Sequence, residues 1–264
     1  MKRSLAHYAA VALALLALIV IAAGALWTSE TRPLPGATDS AVASTTSAPG
    51  IEGAHRIAGY AIVILTLAAA ILASNIAGWL ALGAAIIESL LGGMPVIHAL
   101  VSPIYFSLII ATAVLTSSSW QAPPQPVESP WKPLRPLAVY AVPILLVMQI
   151  GLGAAFRHNA MGVLSHILNA LIVLVVVLIA GVFMLRQFPE HPALRPAALA
   201  LLIITGVQVL LGFSVYLVLL MSSENNMGLI ITGVLHVANG ALTLGAGLAF
   251  AMQVSRNLRS QTGM

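Results

Sequence analysis

Eight stretches of predominantly apolar residues divide the chain, near 5–27, 51–73, 76–93, 95–116, 136–156, 160–185, 196–221 and 227–253. A helix needs roughly 20 apolar residues to cross a bilayer core, and a helix satisfies its own backbone polar groups there. The third and fourth stretches are parted only by Gly92, Gly93, Met94 and Pro95. Read as one helix they would overrun any bilayer, and Gly-Gly-Met-Pro is a turn signal. They are therefore two. The first stretch follows Lys2 and Arg3, as a signal peptide would, but its apolar run extends to Trp27. That is longer than an ordinary signal core, so a retained helix is expected.

Charge supports lipid as the solvent. Hydrophobic residues make up 60% of the chain and charged residues 7%, against roughly 25% charged in soluble domains. Mean hydropathy is +1.02. The net charge is +4, but no Lys/Arg-rich run interleaved with aromatics exists, so nucleic acid is not an expected partner. The absence of cysteine excludes disulfides, thiolate metal sites and cysteine nucleophiles.

The longest polar connectors are 28–50 and 117–135, both rich in Pro and Ser. With the N-terminus in the cytoplasm, Lys2, Arg3, Lys132, Arg135, Arg186, Arg195, Arg256 and Arg259 lie inside. Arg32, Arg56 and Arg157 lie outside. Eight against three follows the positive-inside bias and predicts that both termini are cytoplasmic.

A repeat is visible within this frame. Residues 88–92 read ESLLG, 149–153 read QIGLG and 208–212 read QVLLG. Each is followed by a His at the outer end of the next helix, with His158 just before it: His98, then His158 and His166, then His236. The expected fold is all-α: a polytopic membrane protein of eight transmembrane helices, built as two pseudo-symmetric four-helix bundles. The halves are 1–116 and 136–264, joined by a cytoplasmic linker at 117–135.

His7 and His191 read as ordinary residues at cytoplasmic helix ends, and His158 as a residue of an outer loop. His55, His98, His166 and His236 differ: one falls on each even-numbered helix, all toward the outer half. Ionisable residues inside spans face a bundle interior or cavity. Facing imidazoles on neighbouring helices can supply both axial ligands of a haem iron. Zinc on one helix would want His at i and i+4, and no pair has that spacing. Scarce Asp and Glu argue against a hard-metal site.

Glu52-Gly53-Ala54-His55-Arg56 opens the second helix. Glu52 shares a face with His55 at i+3 and with Arg56 at i+4. An interfacial Glu–Arg pair anchoring the helix end and a functional carboxylate beside an imidazole are both open from spacing alone.

The ExxHR motif at 52–56, QIGLGAAFRH at 149–158, QVLLG at 208–212, LLGG at 90–93 and the four His on even helices resemble the haem A synthase family. That resemblance covers essentially the whole chain. It implies an oxidoreductase of haem A biosynthesis, serving cytochrome oxidase assembly, that oxidises the C8 methyl of haem O to a formyl group. It implies that His55 and His98 bind the substrate haem O in the N-terminal half, and that His166 and His236 ligate a cofactor haem B iron in the C-terminal half. Glu52 matches the family's catalytic carboxylate, and Arg56 and Arg157 are placed to meet haem propionates. The implied partners are haem O, membrane lipid, a haem O synthase or an electron acceptor, and a second copy in a homo-oligomer. The implied location is a bacterial or archaeal plasma membrane.

The chain departs from the family in three places. It lacks the loop cysteine pairs of many members. Ile167 follows His166 where Arg is common, and the outer loops are short. Three alternatives stay open on the residues: a non-enzymatic di-haem b-type cytochrome, a haem-binding assembly factor without catalysis, and a transporter with repeated halves. The transporter would need broken helices around a central polar site, whereas the polar residues here cluster at the outer ends of spans.

Overall fold

A computed structural model describes residues 2–31, 49–221 and 226–260. Arg32 and most of the 28–50 connector lie outside the described residues. The helices are α1 (Lys2–Thr31), α2 (Pro49–Ala73), α3 (Ile76–Leu90), α4 (Pro95–Thr116), α5 (Leu134–Arg157), α6 (Val163–Gln187), α7 (Leu194–Met221) and α8 (Met227–Asn257). All of these except α3 are long and apolar enough to cross a membrane, which makes seven candidate spans among the described residues. The chain is an all-α, multi-pass integral membrane protein. α3 has 15 residues, or about 22 Å at 1.5 Å per residue, less than the roughly 30 Å hydrocarbon core.

Local chemistry explains the helix ends. Asn75 accepts from Gly78 N–H at 2.9 Å and starts α3. Asn226 accepts from Leu229 N–H at 3.0 Å and starts α8. Both satisfy an N–H that the first turn leaves unpaired. The Gly-Gly-Met-Pro segment turns the chain between α3 and α4, with Pro95 at the first position of α4, where its missing N–H costs nothing. α5 opens with a π-helical turn over Leu137–Ala141 just before Pro143. The wider turn makes room for a ring that would otherwise press on the preceding carbonyl.

Lipid offers little hydrophobic drive between helices, so small residues set their approach. In α1, Ala6, Ala10, Leu13, Ala14 and Ala17 are buried, while Leu5, Tyr8, Val11, Leu15 and Ile19 face outward. That division follows the 3.6-residue period. A Cβ on Gly247 would run into Leu146, and one on Gly181 would stand 2.7 Å from Leu202. These glycines let α8 approach α5 and α6 approach α7. Across α2 and α4, the buried Thr66 and Tyr105 hydroxyls share a hydrogen bond of 2.8 Å.

Neighbouring helices follow one scheme twice. α1 packs on α2 and α4, and α3 on α2 and α4; likewise α5 packs on α6 and α8, and α7 on α6 and α8. α4 and α1 also meet α8, and α4 meets α5. Buried apolar residues form one cluster around Tyr105, Phe106 and Ile109 and another around Leu146, Val177 and Phe250.

The start of α1 and the segment after α8 both lie at one end of the bundle, here the tail end. His7 Nδ1 is 2.9 Å from the Ala113 carbonyl. Val127–Ser129 (β1) pairs in parallel with Leu258–Ser260 (β2). Gln125 N–H donates to Asn257 Oδ1 at 3.0 Å, and Arg135 Nε donates to the Leu258 carbonyl at 3.2 Å. Arg256 donates to the Ala122 carbonyl and lies 4.6 Å over the Trp120 ring. His191 is buried and structural. Its Nδ1 accepts from the N–H groups of Ala193 and Leu194, so Nε2 donates to the Gln125 carbonyl at 2.8 Å.

Candidate functional site: two facing histidine pairs

The histidines of α2, α4, α6 and α8 meet in two pairs at the opposite end of the bundle. His55 of α2 faces His98 of α4 with ring centroids 6.2 Å apart and planes at 79°. His166 of α6 faces His236 of α8 with ring centroids 6.2 Å apart and planes at 79°. Two separate stretches of sequence thus build the same geometry.

That geometry suits two imidazoles on opposite sides of one iron. A metal–nitrogen bond of about 2 Å, plus roughly 1 Å from nitrogen to ring centre, counted on both sides, gives about 6 Å between centroids. Three of the rings are seated against glycine. A Cβ on Gly24 of α1 would lie 2.8 Å from His55 Cε1; on Gly153 of α5, 2.9 Å from His166 Cε1; on Gly212 of α7, 3.0 Å from His236 Cε1. An odd-numbered helix therefore gives up its side chain where the next even-numbered helix places an imidazole. Nδ1 of His55 and of His236 are buried with no hydrogen-bond partner. A buried polar atom in that condition is costly unless a ligand engages the group. Among the described residues no group of three or more His, Asp or Glu gathers to hold a bare metal ion. Two facing imidazoles are able to hold a metal-bearing planar group from both sides.

The repeat motif supplies the surroundings of the second pair. Gln149 Nε2 lies 3.1 Å from His166 Nδ1 and 3.3 Å from its Nε2, and donates to the His166 carbonyl at 3.1 Å. Asn169 Nδ2 donates to Gln149 Oε1 at 2.7 Å. The arrangement recurs on α7 and α8, where Gln208 Nε2 is 3.4 Å from His236 Nε2 and Asn239 Nδ2 donates to Gln208 Oε1 at 2.8 Å. Each Asn also reaches a main-chain carbonyl one turn before its Gln, Leu145 or Ile204. Neither Asn was singled out from sequence. The available signal was His-x-x-Asn at 166–169 and 236–239, which puts both side chains on one helix face.

The first pair is surrounded differently. Glu88, the first residue of ESLLG, accepts from the Ser102 hydroxyl, and its Oε1 lies 4.0 Å from His98 Nε2. The Glu88 main-chain carbonyl is 3.2 Å from His98 Nδ1. Glu88 was noticed from sequence only as part of the repeat. Glu52 forms an i,i+4 ion pair with Arg56 at 3.9 Å, and the two side chains are 49% and 66% exposed.

Arg157, the last residue of α5, reaches across to α1. Its Nη2 donates to the Ala25 carbonyl at 2.6 Å and to Ser29 Oγ at 2.7 Å, while Nη1 lies beside Gly233 of α8. It thus stands among α1, α5 and α8, near the end that carries both histidine pairs. The groove lined by Trp120, Val139 and Met252 is at the tail end, away from them. No protein-family model matches the chain, and no curated protein matches it.

Proposed function

We propose that this chain is a haem-modifying membrane oxidoreductase similar to the haem A synthases, acting on the C8 methyl of haem O. The observation that carries the proposal is the pair of equal histidine sites, each with ring centroids 6.2 Å apart. In this proposal His55 and His98 hold the substrate haem O, and His166 and His236 hold a cofactor haem B. The cofactor supplies one-electron chemistry when bound.

The chain's own groups supply position and charge. The imidazoles fix the substrate from two sides. Gly24, Gly153 and Gly212 keep three rings in place by leaving them room. Gln149 and Gln208, pinned by Asn169 and Asn239, orient the second pair; outer partners of this kind govern ligand orientation and affinity. Converting a methyl to a formyl group takes oxygen from water and releases protons and electrons. Glu52 is the carboxylate proposed to steer or deprotonate that water. Arg56 and Arg157 carry guanidinium forks suited to propionate carboxylates. Electrons leave to an acceptor in the membrane, and a haem O synthase is the class of partner that provides substrate.

The proposal includes eight spans in two four-helix halves, 1–116 and 136–264, around a linker at 117–135. The repeated packing scheme supports it. α3 is the short member, and a short apolar helix can be accommodated by local thinning of the bilayer. Both termini are proposed to be cytoplasmic, in a bacterial or archaeal plasma membrane. The support is the Lys/Arg bias and the gathering of His7, the linker, His191 and the C-terminal strand at one end.

A non-enzymatic di-haem b-type cytochrome is the second candidate, and one observation favours it: Glu52 is 49% exposed and paired with Arg56, as an interfacial anchor would be. Pigment extraction from the purified protein, giving haem identity and stoichiometry, tests both. Haem B together with haem O or haem A supports the enzyme. Haem B alone, in cells that make haem O, supports the cytochrome. No haem at all removes both.

A further inference from the structure

Glu88 occupies a repeated position. It stands four residues before Gly92, as Gln149 stands before Gly153 and Gln208 before Gly212. In α1 the residue four before Gly24 is Val20. The residues at this position beside the four rings are thus Val20 for His55, Glu88 for His98, Gln149 for His166 and Gln208 for His236. One of the four is an acid, and it belongs to the first pair.

Glu88 is built into the fold as the glutamines are. Gln149 is pinned by Asn169, three residues beyond its His; Glu88 is held by the Ser102 hydroxyl, four residues beyond its His. Its side chain is 19% exposed. His98 Nδ1 faces the Glu88 main-chain carbonyl at 3.2 Å. A carbonyl only accepts, so Nδ1 carries the proton and Nε2 presents the lone pair that a metal takes. The Glu88 carboxylate lies 4.0 Å from that same Nε2. When ionised, a carboxylate so placed stabilises the more positive, oxidised state of an iron on His98. The carboxamides of Gln149 and Gln208 carry no such charge.

Resting on the haem-binding proposal above, we infer that Glu88 is a positioning residue that makes the two histidine sites electrically unequal. It holds a haem on His55 and His98 at a lower reduction potential than one on His166 and His236. With haems bound at both sites, that inequality would favour electron transfer from the first site to the second.

The test is a redox titration of the visible haem spectrum, with the full chain in detergent and haem B as the probe. A His236→Ala background confines the probe to the first site. There Glu88→Gln, which installs the residue of the other repeats, should shift the reduction equilibrium at least tenfold toward the reduced form, about 59 mV for a one-electron couple. In a His98→Ala background, Gln149→Glu should move the second site the opposite way. Haem bound at the first site with an unchanged potential in Glu88→Gln overturns the inference and leaves the haem-binding proposal standing. If Glu88→Gln fails to insert, an unmoved potential in Gln149→Glu overturns it instead. A wild-type chain that takes up no haem overturns both.

Discussion

Asn169 Nδ2 donates to Gln149 Oε1 at 2.7 Å, and that bond decides which end of the Gln149 carboxamide faces His166. With its oxygen held, Gln149 turns its NH2 toward the imidazole. Asn169→Ala frees the carboxamide to turn over. Losing a partner in a buried polar network costs about 1–3 kcal/mol, and losing an outer partner of a metal ligand lowers affinity roughly 10–100-fold. The expected result is a folded protein whose second-site haem is lost on dilution. A haem titration of His98→Ala, with and without Asn169→Ala, measures it; equal affinities would show that the network does not orient His166.

Glycine substitutions separate seating from helix propensity. Gly153→Ala puts a methyl 2.9 Å from His166 Cε1, whereas Gly83→Ala in α3 meets nothing within 4 Å. Alanine in place of glycine inside a helix contributes roughly 1 kcal/mol. Gly83→Ala should therefore keep or raise the melting temperature and leave the haem spectrum alone. Gly153→Ala should displace the ring and reduce or alter the low-spin haem signal. Identical spectra for the two variants would remove the seating role of Gly153.

Glu52→Gln keeps size and hydrogen-bonding capacity and removes the charge. Its partner Arg56 is 66% exposed, and an exposed pair of this kind contributes at most about 1 kcal/mol. Insertion and haem B content should match wild type, while conversion of haem O stops or stalls at a hydroxylated intermediate. Extracted haems, separated by chromatography, give the answer. Wild-type haem A formation by Glu52→Gln would end the catalytic assignment and turn attention to Glu88, whose carboxylate lies 4.0 Å from His98 Nε2.

Topology is open to a direct test. Reporter fusions at Ser118 and after Met264 should both read cytoplasmic, and one at Ser44 external; Ser44 and Met264 lie outside the described residues. Opposite readings at Ser118 and Met264 would require an odd number of crossings between them and would contradict the paired four-helix halves.

Apolar runs made the helices legible, including the break at Gly92-Gly93-Met94-Pro95, because a span's length and its turn residues are local properties. The end of α3 was less so: Leu91 reads as apolar but belongs to the turn. One His per even helix was legible, but which rings face each other was not: the pairs His55–His98 and His166–His236 came only with the resemblance. What Glu88, Asn169 and Arg157 touch depends on how helices rotate against their neighbours. Arg157 meets Ala25 and Ser29 from 132 and 128 residues away, a relation that no spacing encodes. The β1–β2 pair is likewise a tertiary contact of two three-residue segments, too short to carry a periodic signal.

The β1–β2 ribbon also has a mechanical meaning. It locks the linker to the far end of α8, and Gln125, Arg135, Arg256 and His191 add fasteners at the same place. The fastening lies at the end of the bundle away from the histidines; at the histidine end Arg157 instead joins α5 to α1. A tail trimmed before Leu258 would therefore strip main-chain pairing from the linker without touching a residue of either histidine pair.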